Sequence, residues 1–513
     1  MEQLFDVIII GAGNGGLAGA LDCTRAGKKV LLLEKNPLPG GCATAFCRGR
    51  FEFEASLHEL CAMGTEEEPK SVRRLFADTK GAPVFYKVED CFRLMARDGE
   101  GKTLDVTLPS SRERIFSTLK ELARDAEQGV QDFFELMDEC AAGVDYVNKT
   151  GANQNKRYLL THFPNFVRCG SHTVSEVFRA LRLPPALCTV LGAYWVYLGV
   201  DPDRLSFLHY ALMARQYFDD GSYIPAYTSY QMSLYLLDVV RRQGGVVKFN
   251  TKAKRLLVED GQVRGVITDG GTYLCRTLIS DISPHMLFGQ MVPQNLVPSF
   301  HKKLAAARDG KFSARFLVLY LGLDAPADEL GIRDYSIFLY SDPDPSKVYR
   351  TMMDQNEPVQ SAVFVCPNVV NPEASPEGTC ICTLTAMAPP ELFEDLDGLA
   401  YLQLKERIAK GMLDLLESRT GFRLREHIEE YELATPVTFA RYLGTPEGAA
   451  YGYEAQGLDD IVTRCRTVGE ESLFENAWQA GAWGEFGDGY SSAYSSGRAA
   501  AGRALRYLEE NPV

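Results

Sequence analysis

The chain of 513 residues is longer than one hydrophobic core usually supports, so two closely joined domains are predicted. Its hydrophobic (46%) and charged (24%) fractions are ordinary globular values and exclude a disordered or fibrous chain. A formal net charge of -14 argues against a nucleic-acid backbone as a partner, because phosphate recognition needs a basic face.

The first forty residues contain a candidate dinucleotide site. The aliphatic run at residues 7–10 ends in glycine and predicts a buried parallel strand. Gly11, Gly13 and Gly16 follow with the spacing G-x-G-x-x-G, which permits a tight turn, close approach of a pyrophosphate and packing of a helix on the strand. The predicted helix, over residues 15–26, directs its free N–H groups at that pyrophosphate.

A second predicted strand, residues 29–33, ends at Glu34, whose carboxylate can accept hydrogen bonds from both ribose hydroxyls of an adenosine. Strand, glycines, helix, strand and acid in this order predict dinucleotide binding, and an ordinary βαβ unit with a glycine-rich turn is the alternative. Pro39, Gly40 and Gly41 then form a loop that cannot be helical and can pass beneath a bound cofactor. The sequence has no second G-x-G-x-x-G, so a separate nicotinamide-binding domain is not expected.

Residues 50–60 alternate apolar and polar side chains and predict a half-buried strand that carries His58. This histidine is a candidate proton shuttle, and a hydrogen-bonded structural histidine is the alternative. Residues 83–108 predict short strands separated by a turn at 98–101.

A helical layer with many aromatic residues follows. Apolar residues recur at helical spacing over 109–147, and residues 158–193 continue in helix-like pieces that could cap a pocket or lie on a membrane. Aromatic residues are then concentrated between 194 and 230. Such large, rigid side chains could wall a site for a flat or polyene ligand, and an ordinary core is the alternative.

The chain then returns to the first domain in its middle. Residues 246–250 and 278–281 predict strands, and Asp260-Gly261 predicts the turn of a hairpin between them. An amphipathic helix is predicted at 399–417. Four further strands predict an antiparallel sheet in the second domain, at 314–323, 336–340, 361–365 and 379–385.

The C-terminal segment again joins a strand and a glycine-rich turn to a helix. Glycines are frequent between 476 and 490, and the alanine-rich residues 491–508 predict a helix. The start of such a helix could stabilise negative charge on a reduced flavin ring. A C-terminal helix that only packs against the sheet is the alternative.

The thirteen cysteines are scattered, and this distribution predicts reduced thiols and no metal site. The close pairs, Cys42 with Cys47 and Cys380 with Cys382, lack zinc spacing and histidine partners. Because no signal peptide precedes Val7, a cytoplasmic location is expected. No apolar run approaches the roughly 18 residues of a membrane span, so peripheral membrane contact is the form left open.

Five segments together resemble the phytoene desaturase, carotenoid isomerase and retinol saturase family. They are residues 34–41, Ser280-Asp281 before Pro284-His285, residues 371–378, residues 441–452 and the glycine-rich C-terminal return. The resemblance implies an α/β fold. A Rossmann-type FAD-binding domain with a parallel sheet, as in glutathione reductase and amine oxidases, is interleaved with a substrate domain of antiparallel sheet plus helices. The FAD-binding domain is expected at 1–64, 228–290 and 465–513, and the substrate domain at 65–227 and 291–464.

By this resemblance, FAD lies extended along a bipartite site. The residues implied at the pyrophosphate are Gly11, Gly13, Asn14, Gly15 and Gly16, and those implied at the adenosine ribose are Glu34 and Lys35. Those implied along the cofactor are Gly40, Gly41, Cys42 and Ala43, with the backbone of Ala253 at the adenine. Those implied at the flavin end are Gly481, Gly489, Tyr490 and Ser491.

The resemblance implies an FAD-dependent oxidoreductase that transfers a hydride between flavin N5 and a carbon of a small apolar, unsaturated substrate. The reaction is desaturation or saturation of a carbon–carbon bond. Its direction stays open, and NADH or NADPH is a candidate transient electron donor. Because hydride transfer leaves one proton to place, the candidate catalytic residues are His58, Glu59, Glu485 and Tyr490.

Three alternatives stay open beside this interpretation. The first is a flavin-dependent cis–trans isomerase of polyenes, and the second is an amine or amino-acid oxidase with the same two-domain architecture. The third is a non-catalytic escort protein that holds a lipid or a prenylated protein. A flavoprotein would purify yellow, whereas an escort protein would not, so colour separates the third alternative from the others.

Overall fold

The computed structural model describes residues 3–77, 81–97, 100–150, 155–354, 359–456, 463–464, 472–487 and 489–512. The predicted turn at 98–101 and the predicted domain boundary at 465 fall partly or wholly outside these residues. The described strands form two seven-stranded sheets and two short pairs. In chain order the strands are β1 (Gln3–Ile10), β2 (Val30–Leu33), β3 (Ala45–Arg48), β4 (Phe51–Glu54), β5 (Phe85–Val88), β6 (Asp90–Arg97), β7 (Thr103–Pro109), β8 (Ser222–Pro225), β9 (Val246–Lys248), β10 (Ala253–Glu259), β11 (Gln262–Thr268), β12 (Gly271–Ser280), β13 (Arg315–Leu323), β14 (Ser336–Tyr340), β15 (Ala362–Val365), β16 (Cys380–Ala388), β17 (Ile428–Ala434) and β18 (Ala477–Gln479).

Helices cover both sheets. In chain order the described α-helices are α1 (Asn14–Arg25), α2 (Ser71–Phe76), α3 (Arg112–Leu122), α4 (Glu127–Thr150), α5 (Lys156–His162), α6 (Pro164–Cys169), α7 (Val174–Ala180), α8 (Pro185–Gly192), α9 (Trp195–Leu198), α10 (Phe207–Asp220), α11 (Ser229–Arg242), α12 (Pro284–Met286), α13 (Ser299–Ala307), α14 (Pro345–Met352), α15 (Gly398–Thr420), α16 (Pro436–Leu443) and α17 (Tyr490–Glu510). A π-helical turn, Leu287–Met291, continues α12.

The first sheet has a parallel centre built around β1. Its strand order is β10-β11-β12-β1-β2-β9, and β18 pairs with β12 beside β11. Val7 of β1 stands opposite Val30 of β2 and Thr277 of β12. Residues of α1, α11 and α17 pack with Val7 and Ile9 on one face of β1, and residues of β10, β11 and the π-helical turn pack with Ile8 and Ile10 on the other. Both faces of the central strands are therefore buried, and these strands are continuous aliphatic runs, as the sequence predicted for residues 7–10. Strands from all three predicted FAD-domain segments meet in this sheet, whereas the segment boundaries stay a prediction.

The second sheet has the order β17-β13-β16-β15-β14-β6-β7. Its pairs are antiparallel, as predicted, except that β6 and β14 run parallel. More than 200 residues of chain separate these two strands, so no short turn forces them to be antiparallel. One face of this sheet packs against α15 through Ile408, Met412 and Leu416. The other face packs against the helical layer α3–α10.

The predicted strand over residues 50–60 is shorter than expected. β4 ends at Glu54, because the carboxylate of Glu54 accepts hydrogen bonds from the backbone amides of Ser56 (3.1 Å) and Leu57 (3.0 Å) and turns the chain. The predicted helix over 109–147 is two helices, α3 and α4. In the described part of the chain, no helix combines the length and the apolar character needed to cross a membrane.

Helices α1 and α17 pack closely at two glycines. A Cβ on Gly497 of α17 would overlap the carbonyl oxygen of Gly15 in α1. A Cβ on Gly19 would lie 3.2 Å from the carbonyl oxygen of Gly497. The two helix backbones therefore meet without intervening side chains, and this contact fixes the start of α1.

Substitution of Gly497 tests this contact. We expect Gly497→Ala to lower the free energy of unfolding by about 1–3 kcal/mol, because the added methyl group overpacks the helix interface. Gly502→Ala in the same helix is the matched control, since its Cβ would meet no atom within 4 Å. That control should raise stability by up to about 1 kcal/mol, through helix propensity. Urea unfolding of both variants measures the difference, and equal effects would contradict the close packing.

Candidate functional site

The glycine-rich turn between β1 and α1 lies directly beside the Pro-Gly-Gly loop. Gly11 has a φ of +97°, which favours glycine, and a Cβ on Gly16 would overlap the Gly11 carbonyl oxygen. Gly13 forms a parallel bridge with Gly40, whose amide donates a hydrogen bond to the Ala12 carbonyl at 2.7 Å. The two segments that the sequence assigned to one cofactor are thus in contact.

Glu34 is fixed at the end of β2. Its Oε2 accepts the amide of Ala12 and its Oε1 accepts the amide of Asn36, each at 2.8 Å. The side chain is buried but lines the large cavity of the protein. A carboxylate has about four acceptor positions, so the two amides leave acceptor capacity for ribose hydroxyls.

The C-terminal return delivers the start of α17 to the same cavity. Gly489, with a φ of +83°, precedes the helix, and Tyr490 opens it. The Tyr490 hydroxyl donates to the Cys42 carbonyl at 3.1 Å and lies 3.0 Å from Ser56 Oγ and 3.2 Å from Ser229 Oγ. Burial raises the pKa of Tyr490 well above its ordinary value, so this hydroxyl stays protonated.

The loop after Gly41 also contributes to the cavity. Burial raises the pKa of the Cys42 thiol to about 12, with further contributions from Asp281 and Glu54, so Cys42 is a neutral lining residue. Ala43 lies behind it, and its carbonyl accepts a hydrogen bond from Ser233 Oγ at 2.8 Å.

These segments border one cavity of about 690 Å³, a size typical of ligand sites. One end is lined by predicted cofactor residues: Gly11, Gly13, Asn14, Gly15, Glu34, Lys35, Gly40, Gly41, Cys42, Ala253, Gly481, Gly489, Tyr490 and Ser491. The other end is lined by apolar residues of the second sheet and of α9 and α10: Phe316, Val318, Val363, Val365, Val196, Leu198, Leu212 and Met213. Gly16 and Ala43 are outside the described lining.

Glu59 is a buried acid in this lining. Its Oε1 accepts the Tyr197 hydroxyl at 3.0 Å, and its Oε2 accepts Ser222 Oγ at 2.7 Å. Burial raises the pKa of Glu59 to about 7, and the hydrogen bonds oppose that rise. Glu59 can therefore hold or release a proton near neutral pH.

His58 lies beside Glu59 in the lining. Its Nε2 is 2.9 Å from Thr385 Oγ1, and the Tyr335 hydroxyl donates to its carbonyl oxygen. Burial lowers the pKa of His58 to about 4, so the ring is neutral at physiological pH. His58 is thereby suited to positioning rather than to carrying a positive charge.

Glu485 has a different environment from the other three catalytic candidates. It forms an ion pair with Arg503 of α17, and it is outside the described lining of the cavity. His58, Glu59 and Tyr490 are brought together around the cavity, whereas Glu485 supports the C-terminal helix.

Two half-buried acids that line the cavity, Glu54 and Asp281, are not among the site residues predicted from the sequence. Glu54 accepts hydrogen bonds from the Ser229 amide (2.6 Å) and hydroxyl (2.8 Å), and burial raises its pKa. The sequence pattern that could have identified Glu54 is the alternation of apolar and polar residues over 51–54, in which each second residue is polar. Asp281 follows β12 directly, at the strand end where ligands of α/β sheets bind.

Asp281 lies against the glycine-rich turn between β1 and α1, residues 11–16, which we call the glycine cradle. A Cβ on Gly13 would lie 2.7 Å from Asp281 Oδ2, and one on Gly15 would lie 2.7 Å from Oδ1. Burial raises the pKa of Asp281 to about 7, the amide of Gly16 opposes the rise, and the charge of Glu34 adds to it. An ionisable group thus adjoins the predicted pyrophosphate position.

These features fit a bound FAD. The turn amides and the start of α1 would hold the pyrophosphate, Glu34 the ribose, and the start of α17 the flavin end. Asn14 Oδ1 lines this space, is buried, and has no hydrogen-bond partner among the described residues. The glycine turn, Glu34 and Asn14 thus present backbone amides, a carboxylate and an unpartnered amide oxygen on the wall of one cavity.

Comparisons with known proteins agree with this geometry. A family model described as an FAD binding domain matches residues 6–82. The all-trans-retinol 13,14-reductase of Rattus norvegicus is 25% identical over 482 residues, which cover 88% of this chain and 78% of the relative. The chloroplastic prolycopene isomerase of Daucus carota is 23% identical over 487 residues, covering 88% and 72%. The cyclohexylamine oxidase of Brevibacterium oxydans shares the fold, with a TM-score of 0.62, 14% identity and 99% coverage of both chains.

We expect Asp281 to make FAD binding depend on pH. Above its pKa of about 7 the carboxylate repels the pyrophosphate, so we expect the Kd for FAD to rise by up to about tenfold per pH unit. Below that pH the Kd should be constant, because the acid is neutral. Asp281→Asn should bind FAD tightly and remove the dependence. Quenching of flavin fluorescence between pH 6 and 9 measures it.

Asp238→Asn, at an exposed position of α11, is the control and should behave as wild type. An Asp281→Asn variant with an unchanged pH profile would contradict a role of this acid in FAD binding.

Proposed function

The chain belongs to the FAD-dependent oxidoreductases of the phytoene desaturase, carotenoid isomerase and retinol saturase family, and from this premise we propose that it saturates a carbon–carbon double bond of an apolar polyene. The observation that carries the proposal is one continuous cavity lined by residues of both sheets. This cavity joins the glycine cradle, which fits FAD, to an apolar chamber lined by residues of the second sheet, α9 and α10. The titratable acid in the lining is Glu59.

The chamber favours an apolar, elongated substrate. One face of the second sheet contributes Val318, Val363 and Val365 to its wall, and α10 contributes Leu212 and Met213. These side chains have no charge and form no hydrogen bonds, so burial of a hydrocarbon against them is favourable. Such a wall favours a substrate with a long hydrocarbon part.

The mouth of the chamber carries polar side chains. Asp145 and Asn148 of α4 and Gln216 of α10 belong to the lining, and Asp145 and Asn148 are exposed. A hydroxyl group at one end of a polyene could form hydrogen bonds there while the hydrocarbon lies inside. This arrangement would orient the substrate with its apolar end toward the cofactor cradle.

Glu59 is the proposed proton donor. Saturation adds a hydride to one carbon and a proton to the other, so the double bond becomes a single bond. FAD, when bound and reduced, would supply the hydride, and a donor of the NADH or NADPH class is the candidate reductant. Glu59 holds the proton at a carboxyl group that the Tyr197 and Ser222 hydroxyls keep in place, and His58 and the apolar walls exclude water.

The remaining alternatives differ in product. An isomerase would leave the mass of a polyene unchanged, and a desaturase would remove two hydrogens. The likeness to an amine oxidase extends to the fold alone, at 14% identity. The cytoplasmic location, peripheral membrane contact and absence of a nucleic-acid partner stay predictions from the sequence.

The proposed reaction can be tested by product mass. The FAD-loaded protein is reduced anaerobically with NADPH, NADH or dithionite and mixed with retinoid and carotenoid polyenes of increasing length, and with primary amines. We expect a polyene product heavier by two hydrogens. A protein that oxidises amines, or a reduced flavoprotein that leaves every polyene unchanged, would contradict the proposal.

Glu59→Gln tests the proton donor. Glutamine keeps the shape of the side chain but has no transferable proton, so we expect kcat to fall by about 10²- to 10⁴-fold with FAD still bound. In wild type, kcat should decline as pH rises through about 7, because the protonated acid is lost. The variant should lack this decline.

Glu485→Gln is the matched control, because this carboxyl is outside the described lining. It should retain kcat per bound flavin. Similar losses in the two variants would argue against a specific role for Glu59.

A further inference from the structure

Three cysteines far apart in sequence meet in the second sheet. Cys380 and Cys382 are two residues apart on β16, so their side chains share one face. Cys366 directly follows β15, whose Val365 stands opposite Thr383 of β16. Continuing that register places Cys366 opposite Cys382. The three Sγ atoms lie within 4.8 Å of one another, and all three residues are buried.

This cysteine cluster is separate from the cavity. Thr383 and Thr385, which alternate with the cysteines on β16, line the cavity from the opposite face of the sheet. The cysteines instead belong to the apolar core between the sheet and α15, with Leu321, Leu323 and Met412. Water is therefore excluded around them.

The ligand set selects a soft ion of low coordination number. Thiol sulfur favours soft metals such as Cu(I) and Zn(II). Structural zinc sites take four ligands, but no fourth His, Cys, Asp or Glu atom joins the cluster among the described residues. With metal–sulfur bonds of about 2.3 Å, three sulfurs around one ion would be about 4 Å apart. The observed separations need only a small inward adjustment.

We propose that Cys366, Cys380 and Cys382 form a three-sulfur site for one Cu(I) ion.

The connection between β15 and β16 joins two of the proposed ligands. Cys366 and Cys380 are at its two ends, and its residues Glu373, Glu377 and Gly378 are exposed. Thiol protons that the ion displaces are released to the buffer when the metal–sulfur bonds form.

Copper titration tests the site. The full-length, FAD-loaded protein is titrated anaerobically with Cu(I) against bicinchoninate, a chromogenic Cu(I) chelator. We expect one tightly bound Cu(I) per chain and a higher Tm, because an ion that binds only the native state stabilises it. Cys380→Ala and Cys382→Ala should each weaken binding at least tenfold.

The control is the double variant C140A/C169A, which removes another buried cysteine pair and should bind as wild type. The flavin spectrum reports folding of each variant. If a cluster variant fails to fold, X-ray absorption spectroscopy of the copper-loaded wild type identifies the atoms that coordinate the ion. A shell of three sulfurs supports the site. The proposal is wrong if the ion has a nitrogen or oxygen ligand, or if a folded cluster variant still binds Cu(I) as tightly as wild type. It is also wrong if wild type does not bind Cu(I) stoichiometrically or prefers Zn(II).

Discussion

The close contact between the backbones of α1 and α17 determines the geometry of the cofactor cradle. Gly497, two turns into α17, lies against Gly15 at the start of α1, so the two helix backbones meet there with no side chain between them. Both helix starts then present free amides and positive dipole ends to one cavity. Recognition at this end therefore rests on backbone amides and on the carboxylate of Glu34, which two amides hold in place, whereas Asp281 adjoins them as a charge that opposes the pyrophosphate.

The carboxyl groups around the cavity differ in their surroundings, and their proposed roles differ accordingly. Asp281 and Glu59 both have a pKa raised to about 7, but Asp281 faces the glycine turn, whereas Glu59 faces the apolar chamber. In the proposed account the first would lower cofactor affinity when ionised, and the second would supply the proton to the substrate. The second sheet serves two purposes by alternation, since one face of β16 lines the cavity and the other carries Cys380 and Cys382.

The cofactor end was predictable because its signals are local. Gly11, Gly13 and Glu34 follow from strand, turn and helix patterns within forty residues, and the alternation of strands in the second domain was likewise visible. Choosing between Glu59 and Glu485 was not possible, because exposure to a cavity depends on packing between distant elements. Cys366 is 14 residues from Cys380, so only the strand register reveals their contact.

The central claim is that one cavity joins an FAD cradle to a site of hydride transfer. Its most direct test is the anaerobic visible spectrum of the purified protein, recorded as isolated, after reduction, and after addition of a polyene. The account predicts an oxidised-flavin spectrum that bleaches on reduction and returns when the polyene is added. A protein without a flavin spectrum even after incubation with FAD would contradict it.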